Sequence, residues 1–343
     1  MKSFRRKNRL THALLWGVIA LMLLGTLSAQ AAPKVLYNAR ITTLFPNSTT
    51  NVYEKPDTNS KVLANYKPNH PIQIVEVLPN FVGILQGKRV GYVLRHRIMD
   101  PVAVDFANTP KFGTAINHYY TIASEDIHIK AAPDAASETL ITLHEGAHLG
   151  FLDVENGWAR TIFKRQYGYV DTRTLSELLM VAPQEELGTD EIPIAVYNSF
   201  YDISENENNI NRINNLVVGG QRMSKTLAPG QRLDFNNEVG PFRASNGYLP
   251  AGALVDGELV FDVYGGGSCQ VSSTMYNVVL QLTGLTVLNR APHGANGIKY
   301  LPHGVDASSG GLNFIFRNDY DFPITISSHV QDGSLFIAIY KDS

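Results

Sequence analysis

From about residue 35 onward the chain is written in short apolar runs, broken every few positions by turn formers. Pro71-Ile72-Gln73-Ile74-Val75-Glu76-Val77 alternates with the period of two that predicts a strand with one buried face. Asn51-Val52-Tyr53-Glu54-Lys55-Pro56-Asp57 leads to Val62-Leu63, and Val82-Gly83-Ile84-Leu85 and Gly91-Tyr92-Val93 follow after turn residues. The same order then recurs. Ile127-His128-Ile129-Lys130-Ala131-Ala132-Pro133-Asp134 leads to Leu140-Ile141, and Glu145 to Leu152, Gly157-Trp158-Ala159-Arg160 and Gly168-Tyr169-Val170 come after it. A recurrence of this kind predicts two copies of one small β unit, over residues 35–101 and 119–178. Residues 179–191, with proline, glycine and acidic side chains, read as a solvated connection.

The pattern changes in the last segment, 192–343. Residues 192–196 are a short apolar strand candidate, and positions 210, 213, 216 and 217 have helical spacing. Asp256-Gly257 joins two apolar runs as a tight hairpin. Val271, Met275, Val278 and Leu282 recur at intervals of three and four, which predicts a second helix, and Gly284 supplies its stop signal. Strands are expected at 285–288, 312–316, 324–327 and 335–340, the last two joined across Asp332-Gly333. The fold class is therefore multidomain and β-rich: two small β units followed by an α+β domain with strands on both sides of two helices.

Composition adds boundaries to this picture. The chain has 343 residues, 44% hydrophobic and 17% charged, with a formal net charge of −2. Such a balance suits globular domains and gives no argument for a nucleic-acid partner. The N-terminus is different. Lys2, Arg5, Arg6, Lys7 and Arg9 precede an apolar run from Ala13 to Leu27, and then Ser28-Ala29-Gln30-Ala31-Ala32-Pro33. A basic head, an apolar middle and an Ala-x-Ala site are the parts of a secretory signal peptide, here residues 1–31. The run is shorter than the ~20 residues of a membrane span. Export to the periplasm, cell wall or cell surface is expected, with membrane contact only through this segment if it stays uncut.

Candidate chemistry centres on one atom. Cys269 is the sole cysteine, so no disulfide forms within the chain. Three glycines, Gly265-Gly266-Gly267, precede it, and the helical period begins after it, with Ser268 as candidate N-cap. A thiol in the first turn of a helix lies near unpaired N–H groups and a positive dipole end, which favour the nucleophilic thiolate. The competing reading is a small buried hydrophobe. His144-Glu145-Gly146-Ala147-His148 matches HExxH, but zinc chemistry needs that motif on a helix. Its context here is strand and turn, so no metal and no cofactor are expected.

Two resemblances add to this reading. The "N/I-V/I-x-x-x-P-D" openings and closing "G-Y-V" of both copies resemble bacterial SH3-like β-barrels, which implies either binding of cell-wall peptides or glycans or a role as spacers; the first copy has Phe81-Val82 where a tryptophan is usual. Trp158 of the second copy is accordingly a substrate-binding candidate. Over roughly residues 195–341 the chain resembles the VanW family. The carriers are Asn209-Ile210 with Arg212, Leu227-Ala228-Pro229-Gly230, Asp234-Phe235-Asn236 with Val239-Gly240, Gly247-Tyr248 with Ala251, Gly265-Gly266-Gly267-Ser268-Cys269-Gln270-Val271-Ser272, Tyr276-Asn277, Arg290 with His293, and Gly304 with Asp306-Ala307. Ser273 stands where a threonine is common, and Ala307-Ser308-Ser309 where Ala-Thr-Val is usual; neither change is expected to touch the nucleophile.

This second resemblance implies an exported L,D-transpeptidase that acts on peptidoglycan stem peptides through a thioester on Cys269; transfer to water instead of an amine would make it a carboxypeptidase, and the sequence does not separate the two. His293, at the family's Arg-x-x-His position, is then the base, His303 its competitor, and Asp306 the group that orients the imidazole. Backbone N–H groups around Cys269 and Gln270, following the loop of Gly266 and Gly267, or the Gln270 side chain, are the candidates for the oxyanion. Arg212 or Arg290 holds a substrate carboxylate. The alternative is a wall-associated protein that binds peptide or glycan strands without turnover and keeps a structural cysteine.

Overall fold

The computed structural model describes residues 33–342 apart from 44, 46, 256, 257, 295 and 296. The N-terminal segment read as a signal peptide and the turn at Asp256-Gly257 lie outside the described residues.

Two successive β units make up the first half. The first has β1 (Tyr37–Ile41), β2 (Thr50–Tyr53), β3 (Val62–Tyr66), β4 (Pro71–Val77), β5 (Phe81–Gln86), β6 (Arg89–Leu94) and β7 (Ile98–Ala103), in the antiparallel order β3-β2-β6-β5-β4-β1-β7. The second has β8 (Tyr119–Ile122), β9 (Ile127–Lys130), β10 (Thr139–Leu143), β11 (His148–Phe151), β12 (Asp153–Glu155), β13 (Trp158–Phe163), β14 (Gln166–Asp171) and β15 (Leu179–Met180). Its sheets run β10-β9-β14-β13-β12 and β11-β8-β15. Set end to end, β11 and β12 take the place of β4, and the order of the first unit is reproduced. The break falls where β4 has a register shift, between Ile74 and Glu76.

The repeated Gly-Tyr-Val has a packing cause. A Cβ on Gly91 would lie 2.6 Å from Val52 Cγ1, and one on Gly168 2.5 Å from Ile129 Cγ2. Both glycines let a crossing strand close over them, while Val93 and Val170 fill the two cores. No pairing joins β3 to β7 or β10 to β15, so strand pairing closes neither unit into a barrel.

The last segment contains β16 (Pro193–Phe200), α1 (Glu207–Met223), β17 (Thr226–Leu227), β18 (Arg232–Asp234), β19 (Pro250–Val255), β20 (Glu258–Tyr264), α2 (Ser268–Val279), β21 (Leu285–Asn289), β22 (Ile315–Asn318), β23 (Ile324–Gln331) and β24 (Ser334–Lys341). A sheet β16-β24-β23-β17 carries both helices on one face, with α1 over β23 and α2 over β16 and β24. Val271, Met275 and Val278 of α2 pack there with Tyr197, Leu335, Ile337 and Ile339. Each such side chain removed from water stabilises by about 1.5–3 kcal/mol. On the opposite face, Val196, Phe336 and Ala338 meet Tyr120 and Val181 from the second unit. Covering on both faces explains why β16 is buried along its whole length.

Several expectations are corrected. Helix α1 is longer than the spacing suggested, because Asn206 caps it by accepting from the Asn209 N–H. Helix α2 stops at Val279, ahead of Gly284, although Leu282 continues its apolar stripe from the following turn. Residues 179–191 are in part built into the fold. Leu179 and Met180 pair with Tyr120 and Tyr119, and the Glu185 carboxylate accepts from Thr283 N–H at 2.7 Å. In the HExxH stretch, Gly146 makes the turn at φ +87°, His144 binds Asp126, and His148 stacks on His329, so the two histidines share no helix face. No group of histidine, cysteine and acid able to hold a metal is found among the described residues.

Asn198 is a buried polar link between the second unit and the central sheet. Its Oδ1 accepts from Gly150 N–H at 2.7 Å, and its Nδ2 donates to His148 O at 3.0 Å and Ser334 Oγ at 2.7 Å. Asn198→Ala leaves a buried N–H unpaired, at a cost of about 1–3 kcal/mol. A lower urea midpoint with an unchanged slope is expected; an unchanged midpoint would remove Asn198 as a link.

Candidate active site

The cysteine is placed by a turn that only glycine can make. Gly267 occupies the N-cap position of α2 at φ +104°, a left-handed conformation that side chains resist. Gly266 passes so close to β19 that a Cβ would sit 2.4 Å from Ala251 O. Ser268 is therefore not the cap. It is the first helical residue, and its hydroxyl donates back to Gly265 O at 2.7 Å. Asn215 of α1, fully buried, fixes the turn from behind by donating to Gly266 O at 2.9 Å and Leu249 O at 2.9 Å. Cys269 follows in the first turn, partly exposed. Its N–H has no acceptor among the described residues.

The rest of the site hangs on the polar side of α2. Ser272 and Ser273 both donate to Ala307 O, at 2.6 and 3.0 Å, and Ser273 Oγ accepts from Ala307 N–H at 3.0 Å. One turn on, Asn277 Nδ2 donates to Val305 O at 2.7 Å. These bonds draw residues 305–309 along the helix start. Ser309 then approaches the sulfur, with its N–H 3.4 Å and its hydroxyl 3.5 Å from Sγ. Asp306, 2% exposed, accepts from the His293 N–H at 2.6 Å and lies 2.8 Å from His293 Nδ1. With Nδ1 so engaged, Nε2 is the nitrogen left for the thiol proton.

Electrostatics makes this line a charged one. Burial pushes the Cys269 thiol up, but the hydrogen bond and charge of His293, together with the two donors of Ser309, outweigh it and hold the thiol below its ordinary value. Burial pulls His293 down, yet Asp306 and Cys269 raise it to about 9. Burial also works against Asp306, and His293 and Arg290 still keep it below the usual carboxylate range. At neutral pH the imidazole is thus protonated and backed by a carboxylate, and the thiol beside it is shifted toward thiolate. The line has a nucleophile, a proton carrier and an orienting group.

The expected residues fall into three groups. Cys269, His293 and Asp306 are brought together as the resemblance implied. Arg290 is near, but its guanidinium is engaged within the protein: Nε donates to Asp306 O at 2.6 Å, Nη2 to Gly304 O at 3.0 Å, and the group lies over the Tyr276 ring. It positions Asp306 through Nε and Nη2. Gln270 is also engaged elsewhere. Its side chain is buried and donates to Ser199 Oγ at 3.0 Å, which leaves the Cys269 N–H as the helix-start donor for an oxyanion. Arg212 flanks Gly267, and one of its nitrogens donates to Gly252 O. His303 packs beside His96 of the first unit, ring centroids 5.3 Å apart; His293 is the imidazole at the sulfur. Trp158 opens β13 opposite Glu155 and Asp171, in the sheet of the second unit.

Three contributors were not foreseen. Ser309 touches the nucleophile directly, contrary to the expectation for that departure from the family pattern. Its only trace in the sequence was the departure itself. Asn215 was hidden inside a helical period. Cys269 and Arg212 both act on Tyr300, and its hydroxyl is sealed from solvent beside Ser273. The neighbouring Ser273 hydroxyl is taken on both sides by Ala307.

Comparison with known proteins agrees with this anatomy. The family profile described as "VanW like protein" matches residues 211–340. YoaR of Bacillus subtilis (strain 168), an uncharacterized protein, is 37% identical over 139 residues, which is 40% of this chain and 45% of the relative. The chain thus spans less than half the length of that curated relative. Among solved structures, NlpC2 of Trichomonas vaginalis has 10% identity over 56% of this chain and 58% of its own, with a TM-score of 0.18. NlpC1 of the same organism has 12% identity over 85% and 91%, with a TM-score of 0.19. Both scores are too low to bear on fold or activity. The glycine turn, the cysteine helix and the His293–Asp306 segment all lie within the matched residues, and residues 211–340 of this chain are a VanW-family domain.

Proposed function

We propose that the chain is an exported cell-wall enzyme: a cysteine acyltransferase, and in particular an L,D-transpeptidase acting on peptidoglycan stem peptides. The observation that carries this reading is the line Cys269–His293–Asp306, with a partly exposed sulfur shifted toward thiolate beside a protonated imidazole. The VanW match and the export-type N-terminus support a place in the cell envelope. The two β units, with their SH3-like sequence motifs, would hold the enzyme on peptide or glycan strands.

In this reading each step has a group to carry it. The Cys269 thiolate adds to the carbonyl of the third stem residue, and the Cys269 N–H receives the oxyanion. The amide C–N bond breaks as His293 gives its proton to the leaving D-alanine nitrogen. A thioester remains. An acceptor amine then attacks it, His293 takes the amine proton, and the thiolate is released with a new amide bond. Water in place of the amine gives a shortened peptide. Throughout, Asp306 keeps Nδ1–H in place and stabilises the imidazolium.

Incubation with disaccharide tetrapeptide and analysis of the muropeptides tests the reaction. Cross-linked dimer and free D-alanine are expected from the native chain and neither from Cys269→Ala. Equal yields from both would end the mechanism, and tripeptide without dimer would make the enzyme a carboxypeptidase.

The charged pair has a pH signature. Thiolate is fully formed above the depressed thiol value, and the imidazolium is lost as pH rises through about 9. Alkylation by iodoacetamide should stay fast well below the ordinary thiol value of 9.0, while turnover falls near 9. In His293→Asn the alkylation midpoint should move up toward the ordinary value. A cysteine that reacts only after unfolding would instead support the binding-only reading.

In this reading Tyr300, whose hydroxyl lies in the field of the Cys269 charge, would serve as a second donor for the oxyanion. Burial and the Cys269 charge hold its proton on. Tyr300→Phe should lower kcat by roughly 10²–10³-fold, the usual loss for one oxyanion donor, with KM little changed. Full activity in that variant would restrict Tyr300 to packing.

A further inference from the structure

A second polar site lies away from the cysteine, where the first unit, the connection after it and the second unit meet. It is a cleft of about 390 Å³ whose lining includes Arg95, Gly113, Thr114, Asp153, Arg160 and Tyr167. Arg95 follows β6 and is 5% exposed. Its Nη1 donates to Leu78 O at 3.3 Å, and Nε and Nη2 have no partner among the described residues. Those two nitrogens form one edge of the guanidinium, with parallel N–H bonds spaced to meet the two oxygens of a carboxylate. Room for the group is built in: a Cβ on Gly113 would lie 2.5 Å from Nη2. The Phe112 ring lies against the guanidinium, 5.6 Å from its carbon to the ring centroid.

The surroundings are short of acceptors. Thr114 Oγ1 is buried without a partner, and so is the hydroxyl of Tyr197, the tyrosine of β16 that acts most on Arg95. The one carboxylate in the lining, Asp153, is held at both oxygens by Arg160, through Nε at 3.1 Å and through Nη2. Arg160 and Asp153 cancel, and Arg95 is left as an unbalanced positive charge. Burial lowers its pKa only to about 10, so the charge persists at neutral pH. Water would add donors to a place already full of them. An anion brings acceptors alone and cancels the charge. A single planar edge and a single net charge suit a carboxylate better than a phosphate.

We infer that this cleft binds a small organic monocarboxylate, gripped side-on by Nε and Nη2 of Arg95 and bonded by the hydroxyls of Thr114 and Tyr197. The site is independent of the chemistry at Cys269, and its occupancy is read without any turnover.

Titration of the Cys269→Ala chain with sodium acetate, against sodium chloride at equal ionic strength, tests it by calorimetry and thermal melting. A saturable acetate response beyond that of chloride is expected, absent in Arg95→Met. Thr114→Val and Tyr197→Phe each keep the charge and remove one donor, and should weaken acetate about tenfold, the equivalent of 1.4 kcal/mol. They carry the test alone if Arg95→Met does not fold. No response beyond chloride, or equal affinity in Thr114→Val, Tyr197→Phe and the parent, would overturn the assignment.

Discussion

Everything at the site depends on the polar clamp between helix α2 and residues 305–309. Ser272, Ser273 and Asn277 are buried hydroxyls and an amide on a helix that is otherwise apolar on its inner side. Buried polar groups are tolerated when they are paired, and here the partners are the backbone of Val305 and Ala307. The clamp is also what converts a sequence separation of nearly forty residues into contact. Cys269 is fixed at one end of the helix, Asp306 is drawn to the same end, and Asp306 in turn holds both the backbone and the ring of His293. Remove the clamp, and the imidazole has nothing to set its distance from the sulfur.

The clamp needs a rigid floor, which the central sheet supplies. Helix α2 rests on β16 and β24, and these strands are themselves covered from beneath by the second β unit. Thr274 and Gln270, on the side of α2 away from the clamp, bond Ser199 of β16. The helix is thus held by hydrogen bonds on two sides and by Val271, Met275 and Val278 against the sheet. A nucleophile on such an element keeps its place during reaction, which is the condition for efficient catalysis. The second unit contributes to the site in this indirect way, by closing the far face of the sheet.

Local signals in the chain were read correctly where one element decided them. The period of α2, the hairpin at Asp332-Gly333 and the recurrence of two β units depend on residues near one another, and all were visible. Ser268 as cap failed because Gly267 can adopt a left-handed N-cap position that a serine at the next residue cannot displace. Arg290 and Gln270 were assigned outward-facing roles because side-chain direction is not encoded in spacing; each found an inward partner across a long sequence gap. His303 and His293 differ in the same way. Both sit in turn-rich sequence, and only the clamp on residues 305–309 decides which ring meets the thiol. Arg95 gave no signal at all, since its burial is made by three separate segments.

Charge accounting around the thiol points to where a substrate would be held. Thiolate and imidazolium cancel, and so do Asp306 and Arg290, so the line is neutral as a whole and has no strong field to attract a distant ion. Arg212 stands beside this line with no carboxylate partner among the described residues. It flanks Gly267 and acts on Tyr300, which puts a positive charge at the edge of the glycine turn rather than at the sulfur. In the proposed reaction the terminal carboxylate lies on the leaving D-alanine, one residue beyond the bond that breaks. A cation offset from the nucleophile by the width of the turn suits that separation. Such a cation would bind the donor peptide but not the shortened product, whose new carboxylate falls at the sulfur itself.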